Sequence, residues 1–202
     1  LWQHAFWDGF GNGQSGRAID VIVWQVRLPR VVLASLVGLG LAVAGSTWQA
    51  LLRNPLADPY LIGTSAGAAL GAGVAFLSGL AGQYAWSVSA LAFGGALAAT
   101  ALVYRLSARA DATNSVERLV LAGVAVSSLL GAILSVLLAV RANAASPLYL
   151  WLMGSLLGRG WNEVYQLTPP LVLAVAIIFW YVPRLNVLQL GDERAFGLGC
   201  DV

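Results

Sequence analysis

The sequence predicts an all-α protein, a polytopic transmembrane helix bundle with about five spans and one short re-entrant or interfacial helix. Of its 202 residues, 59% are hydrophobic and 10% are charged, and the mean hydropathy is +0.78. Soluble domains carry roughly 25% charged residues. Long apolar runs could cross a bilayer, and small residues recur at every fourth position within several of them. A soluble globular domain is therefore excluded.

The spans follow from the lengths of the apolar runs. The first run, residues 31–52, has 22 uncharged residues, about 33 Å as a helix, which crosses a hydrocarbon core of about 30 Å. Residues 60–104 are too many for one helix, so the break at 78–83 divides them into two spans. The last two spans are predicted at residues 119–140 and 169–188.

Between the last two spans, residues 147–158 form an apolar run of only 12 residues. That length suits a re-entrant or interfacial helix better than a crossing. The chain opens at Leu1 without a methionine and stops within a polar stretch, so we expect a piece of a longer protein.

Small residues with a four-residue spacing predict close helix packing. Lipid tails are as apolar as leucine, so helices in a membrane associate through close backbone approach along such stripes. The stripes are Ala34, Gly38, Ala42, Ser46 and Ala50; Gly63, Gly67, Gly71, Ala75 and Gly79; and Ser127, Gly131, Ser135 and Ala139. We expect helix contacts at Gly38, Gly63, Gly67, Gly71 and Gly131. The plain abundance of Gly and Ala in membrane helices is the alternative, but it does not explain the register.

A possible catalytic motif lies at residues 63–67, which read G-T-S-A-G, the G-x-S-x-G form of a nucleophile elbow. A nucleophilic Ser65 needs a base within hydrogen-bond reach. His4 is the only histidine, and the spans offer no carboxylate or lysine. We therefore predict no catalytic residue, and an intramembrane hydrolase is a weak alternative. An ion-coupled secondary transporter is weakened too, because it usually needs Asp, Glu or His at membrane depth.

Other site classes are excluded by composition. One histidine and one cysteine, Cys200, do not make a metal site, and no cofactor is predicted. The net charge of +2 comes from scattered arginines and predicts no nucleic-acid partner.

The polar break at residues 53–59 predicts a sharp turn. Pro55 and Pro59 do not continue the first span. Asp58 followed by Pro59 is the pattern of a helix N-cap with proline at the first helical position. The stretch therefore predicts a hinge between two spans.

Five stretches together closely resemble the permease subunits of bacterial ABC importers for iron-siderophore complexes, haem and vitamin B12. They are WQVRLPR (24–30), GLAVAGSTWQALLRNPLADPYLIGTSAGAALGA (40–72), RLVLAGVAVSSLLGAILS (118–135), LWLMGSLLGRGW (150–161) and LNVLQLGDERAFGLG (185–199). Full-length relatives have ten spans and act as homodimers or paired halves, so the chain resembles their second to sixth spans. The resemblance implies one partial permease domain over 1–202, with 1–30 an external loop, 31–188 the spans and 189–202 a cytoplasmic coupling segment.

The resemblance also implies roles for the loops. Arg27 and Arg30 match arginines that dock glutamates of a periplasmic or lipid-anchored binding protein, whereas snorkelling interfacial arginines are the alternative. Asn54 and Leu56 match the cytoplasmic gate beside the translocation path, and an ordinary tight turn is the alternative there. A second gating loop would be residues 114–117, but Val116 and Glu117 replace its usual small hydroxyl residues.

The C-terminal segment resembles the start of the coupling helices that contact an ATP-binding subunit. Its residues are Gly191, Asp192, Glu193, Ala195, Phe196, Leu198 and Gly199. The chain has no Walker motif, so ATP hydrolysis is expected in that separate subunit and the chain is not expected to be an enzyme. The other expected partners are a second permease copy or half and membrane lipid.

The resemblance implies import of an iron complex across a bacterial inner membrane. An iron-siderophore complex is the first expectation, because such systems are the most numerous in the family. Haem or vitamin B12 import is the alternative within the family.

Overall fold

The computed structural model describes residues 19–84, 86–108, 115–141, 145–191 and 196–197. The regular elements in these ranges are all helices, which confirms the all-α prediction. They are a π-helical segment Ile22–Arg27, α1 (Leu28–Leu52), a 3₁₀ helix (Pro59–Ile62), α2 (Thr64–Leu77), α3 (Leu80–Gln83), α4 (Ser87–Ser107), α5 (Ser115–Val140), α6 (Ala145–Leu152) and α7 (Trp161–Leu188).

Four helices of the described ranges are long and apolar enough to cross a membrane. They are Ile19–Leu52, Ser87–Ser107, Glu117–Val140 and Trp161–Leu188. The second predicted span is shorter than expected, since α2 has 14 residues, about 21 Å as a helix. If this predicted span crosses the membrane, the crossing has to include the 3₁₀ helix that precedes α2.

Helix ends differ from the sequence prediction at three places. The first long helix begins by Ile19, so the described part of the expected loop 1–30 is helical. The last begins at Trp161 rather than 169 and carries Pro169, Pro170 and Pro183 inside it. The short apolar helix α6 ends at Leu152 rather than at 158. The uncharged runs in the sequence mark only the apolar middle of each helix. The helices themselves continue into flanking residues of mixed polarity, so their ends differ from the ends of the runs.

The chain divides into two compact units, one of residues 1–51 and 156–202 and one of residues 52–155. In the second unit α2 packs against α4 and α5, and its buried core is Ala72, Ala92, Leu134, Leu138 and Leu148. Leu148 is fully buried and lies beside Gly73, where an added Cβ would be 3.5 Å from Leu148 Cδ2 and 2.8 Å from Leu134 Cδ1. The missing side chain at Gly73 therefore leaves room for the leucine that holds α6.

The backbones of α2 and α4 are in direct contact at Gly67, Gly71 and Gly95, which we call the glycine seam. A Cβ on Gly67 would collide with the Gly95 carbonyl oxygen and come within 2.6 Å of Ala99 Cβ. A Cβ on Gly71 would collide with the Leu91 carbonyl oxygen, and one on Gly95 with the Gly67 carbonyl oxygen. No side chain larger than hydrogen fits at these positions without separating the helices.

In the other unit, α1 and α7 meet at a small residue outside the predicted stripe. An added Cβ on Gly40 would lie 3.0 Å from Leu171 Cδ1.

The start of α7 is fixed by Glu163, whose Oε2 accepts from the Gly160 N–H at 2.9 Å and whose Oε1 lies 3.6 Å from Arg159 Nη1. A carboxylate in the first turn also complements the helix dipole.

The glycine seam predicts a sharp difference between two adjacent glycines of α4. Gly95→Leu inserts bulk against the α2 backbone, and we expect it to destabilise the second unit by about 3 kcal/mol, the upper end of the usual cost of overpacking. Gly94→Leu is the matched control, because an added Cβ on Gly94 meets nothing within 4 Å among the described residues. Folded, monodisperse permease after detergent extraction, and its melting temperature, measure the effect. Equal loss in both variants would contradict the seam.

Candidate functional site

The predicted hinge is a compact turn held by its own side chains. Asn54 Oδ1 accepts from the Leu56 N–H at 2.9 Å, and the Ala57 N–H donates to the Asn54 carbonyl at 3.0 Å. Ala57 is buried, whereas Leu56 is 85% exposed. The two expected gate residues are therefore adjacent, with Asn54 shaping the turn and Leu56 projecting from it.

The second half of the hinge has the predicted cap. Asp58 has extended backbone angles and accepts from the Tyr60 N–H at 2.9 Å, and Pro59 occupies the first position of the 3₁₀ helix. Gly63 then turns the chain at φ +79°, a conformation that favours glycine. These observations confirm the N-cap and proline prediction, although the capped helix is 3₁₀ rather than α.

The hinge is fixed to the bundle through Gly63. An added Cβ there would lie 3.4 Å from Ser127 Oγ of α5, 3.6 Å from Val126 Cγ1 and 3.7 Å from Val103 Cγ2 of α4. Buried Ile62 precedes it. The turn is therefore seated where α2, α4 and α5 converge, so a movement of these helices would displace Leu56.

The expected docking arginines lie on a helix rather than a loop. Arg27 closes the π-helical segment and is exposed, and Arg30 follows in the first turn of α1 and is partly exposed. Pro29 between them is fully buried. Arg30 Nε is buried and has no hydrogen-bond partner within the described ranges. Three-residue spacing brings two side chains to one side of an α-helix.

Part of the expected coupling segment can be described. After α7 ends at Leu188, Gly191 adopts φ +99° and its N–H donates to the Leu188 carbonyl at 3.2 Å. Phe196 is helical and 75% exposed. The remaining coupling residues, Asp192, Glu193, Ala195, Leu198 and Gly199, lie outside the described residues, as does Asn114 of the second gating loop.

The predicted packing glycines fall into two groups. Gly63, Gly67 and Gly71 contact neighbouring helices, whereas added Cβ atoms on Gly38 and Gly131 meet nothing within 4 Å among the described residues. Sequence reasoning missed Gly40, Gly73 and Gly95. A search for small residues at mixed spacings of three and four would have found Ala92, Gly95 and Ala99 on α4.

The G-x-S-x-G pattern lies in the start of α2. Gly67 belongs to the glycine seam, and the Ser65 side chain is exposed. Across the described ranges no group of three or more His, Cys, Asp or Glu could hold a metal ion. His4, the only histidine, lies outside the described residues. The pattern thus coincides with helix packing.

A sequence model of the FecCD transport family matches residues 2–202. The chain belongs to the FecCD transport family. This membership confirms the resemblance seen in the sequence motifs. As a FecCD protein with several membrane-length helices, it is a multi-pass inner-membrane transport component and not an enzyme.

Individual relatives agree with the family assignment. The chain is 41% identical to the cobalamin import system permease protein BtuC of Halobacterium salinarum, over 91% of this chain and 49% of that protein. It is 40% identical to the hemin transport system permease protein HmuU of Yersinia pestis, over 89% of this chain and 55% of that protein. The chain spans about half the length of the curated relatives it matches.

The fold is also similar to a solved structure. An ABC transporter assigned to the metal-chelate type, in an inward-facing conformation, matches with a TM-score of 0.81 and 30% identity. The match covers 90% of this chain and 57% of that one.

The position of Ser65 predicts that its hydroxyl is dispensable. A nucleophile loses its chemistry with its oxygen, whereas an exposed residue in the first turn of a packed helix tolerates the change. We expect Ser65→Ala in the complete transporter to keep most of its transport rate, measured in proteoliposomes. Serine-reactive probes should leave Ser65 unlabelled, and labelling together with lost activity at normal folded yield would instead support a hydrolase.

Proposed function

We propose that this chain is part of the membrane-spanning permease subunit of an ATP-driven importer for metal chelates. The observation that carries the proposal is the match of the FecCD transport family to residues 2–202. Relatives named for cobalamin and hemin import support the substrate class, because both molecules are large metal chelates. The similar solved structure supports a path that opens to the inside.

The energy source follows from the distribution of charge. The apolar runs 31–52, 60–104 and 119–140 contain no ionisable carboxylate, histidine or lysine that could couple an ion gradient. An external ATPase subunit supplies the work instead. The exposed Phe196 side chain, just beyond the last span, is the apolar contact offered to it.

The remaining roles are assigned by position. Arg27 and Arg30 face the binding protein, since guanidinium groups bind carboxylates in a bidentate manner. Asn54 and Leu56 form one half of the cytoplasmic gate. Added Cβ atoms on Gly38 and Gly131 meet none of the described residues within 4 Å. These glycines contact the rest of the permease or its second copy, and lipid covers the other apolar faces.

An iron-siderophore complex is the first candidate substrate within the metal-chelate class. The motif resemblance to iron-siderophore permeases supports it, and hemin, the substrate in the name of one relative, is itself an iron chelate. Haem and vitamin B12 are the alternative substrates.

The proposal is tested by removing the apolar contact that would bind the ATPase. Phe196→Asp buries a charge at that interface, and we expect substrate-stimulated ATP hydrolysis by the complete transporter in nanodiscs to fall roughly tenfold or more. Co-purification of the ATPase should fall with it. The spans should still fold, since Phe196 lies beyond α7.

Phe196→Leu is the matched control, because it keeps an apolar side chain of similar reach. It should retain most of the stimulated hydrolysis. Normal coupling in Phe196→Asp would count against the coupling role, and a transporter that takes up substrate with no ATPase bound would reject the importer mechanism.

A further inference from the structure

The π-helical segment leaves one backbone carbonyl without its helical donor. In a π-helical register an N–H bonds the carbonyl five residues earlier, as the Leu28 N–H does with the Val23 carbonyl. In this register the next donor would be residue 29, and its acceptor would be the Trp24 carbonyl. Residue 29 is a proline, which has no N–H. The Trp24 carbonyl must therefore find another donor or remain unsatisfied, which is costly for a backbone group close to lipid.

A side chain of α7 supplies that donor. Trp161 Nε1 donates to the Trp24 carbonyl oxygen at 2.9 Å. Trp161 is the first residue of α7. Its indole ring stacks on the Tyr165 ring, with ring centroids 6.0 Å apart and ring planes inclined at 26°. The Gly160–Glu163 hydrogen bond fixes the same turn. The donor is thus held by its own helix, independently of the segment it serves.

The hydrogen bond between Trp161 and the Trp24 carbonyl holds the segment that carries one of the two docking arginines. Arg27 is the last residue of the π-helical segment and Arg30 lies beyond Pro29 in α1. Without that hydrogen bond the segment would open more often, and Arg27 would move with it while Arg30 stays in α1. A partner that uses both guanidinium groups needs them on one side.

We propose that Trp161 is a positioning residue for docking, because it bonds the carbonyl that Pro29 leaves free and so holds the π-helical segment that carries Arg27 in a fixed position relative to Arg30. The proposal rests on the proposed docking role of these arginines. In this role Trp161 acts through the Trp24 carbonyl.

The test is a double-mutant cycle in the complete transporter in nanodiscs. Trp161→Phe keeps an aromatic ring over Tyr165 and removes only the indole donor. Pro29→Ala restores a backbone N–H at residue 29. We expect Trp161→Phe to raise the rate of amide hydrogen exchange in residues 22–28 about fivefold, the factor that corresponds to the loss of one typical hydrogen bond. Its affinity for the binding protein should fall by a similar factor. In the Pro29→Ala background, both effects of Trp161→Phe should shrink to less than about twofold.

Trp180→Phe is the matched control, since Trp180 is 83% exposed on the same helix. It should leave exchange in residues 22–28 unchanged. Unchanged exchange in Trp161→Phe would overturn the proposal, and so would an equal effect with and without Pro29, because neither outcome leaves a role for the carbonyl that proline frees.

Arg27→Glu separates a failure of this inference from a failure of the docking role. If Arg27→Glu weakens binding and Trp161→Phe raises exchange without changing affinity, the positioning role is overturned while docking stands. If neither variant changes affinity, the docking role fails, and with it the positioning function of Trp161.

Discussion

Backbone contact between α2 and α4 is the constraint on which the second unit depends. In lipid, apolar side chains gain little by leaving the solvent, so helices associate by packing backbones closely. The glycine seam brings the carbonyl of Gly67 against Gly95 and the Leu91 carbonyl against Gly71. With α2 held this close to α4, the turn at Gly63 lies against α5 as well, and the hinge before it has one defined position. The proposed gate residues, Asn54 and Leu56, are thus placed by contacts along the bundle.

The segments proposed to dock, gate and couple lie where a helix is interrupted, and at each of them a specific group compensates for the interruption. Pro29, the second residue of α1, has no N–H to give the Trp24 carbonyl, and the Trp161 indole N–H bonds that carbonyl instead. Asp58 caps the helix that Pro59 begins. Gly191 turns the chain after α7. Unsatisfied backbone groups are costly near lipid, so a break persists only where a side chain or a glycine compensates for it. Such breaks give a rigid bundle a few defined places for contact and motion.

The sequence predicted correctly those features that a local pattern of residues determines by itself. Apolar run lengths located four membrane-length helices, Asp58-Pro59 identified a cap, and the four-residue stripe identified Gly67 and Gly71. It failed where the answer depends on a partner element. The contact face of α1 lies at Gly40 rather than Gly38, because only the position of Leu171 decides which glycine is covered.

The remaining misses have the same cause. Run length alone did not reveal that α2 is 14 residues long, since its apolar run continues through a 3₁₀ helix and a left-handed glycine. The π-helical segment has no sequence signature beyond Pro29, because its free carbonyl is satisfied by a residue 137 positions away in the chain.

The most direct test of ATP-driven import is chelate uptake into proteoliposomes that hold the complete permease with its ATPase and binding protein. Iron-siderophore, haem and cobalamin should be compared with ion gradients collapsed. Uptake of one chelate that requires ATP and survives the loss of gradients is the predicted result, whereas uptake that needs a proton or sodium gradient and proceeds without ATP would contradict it.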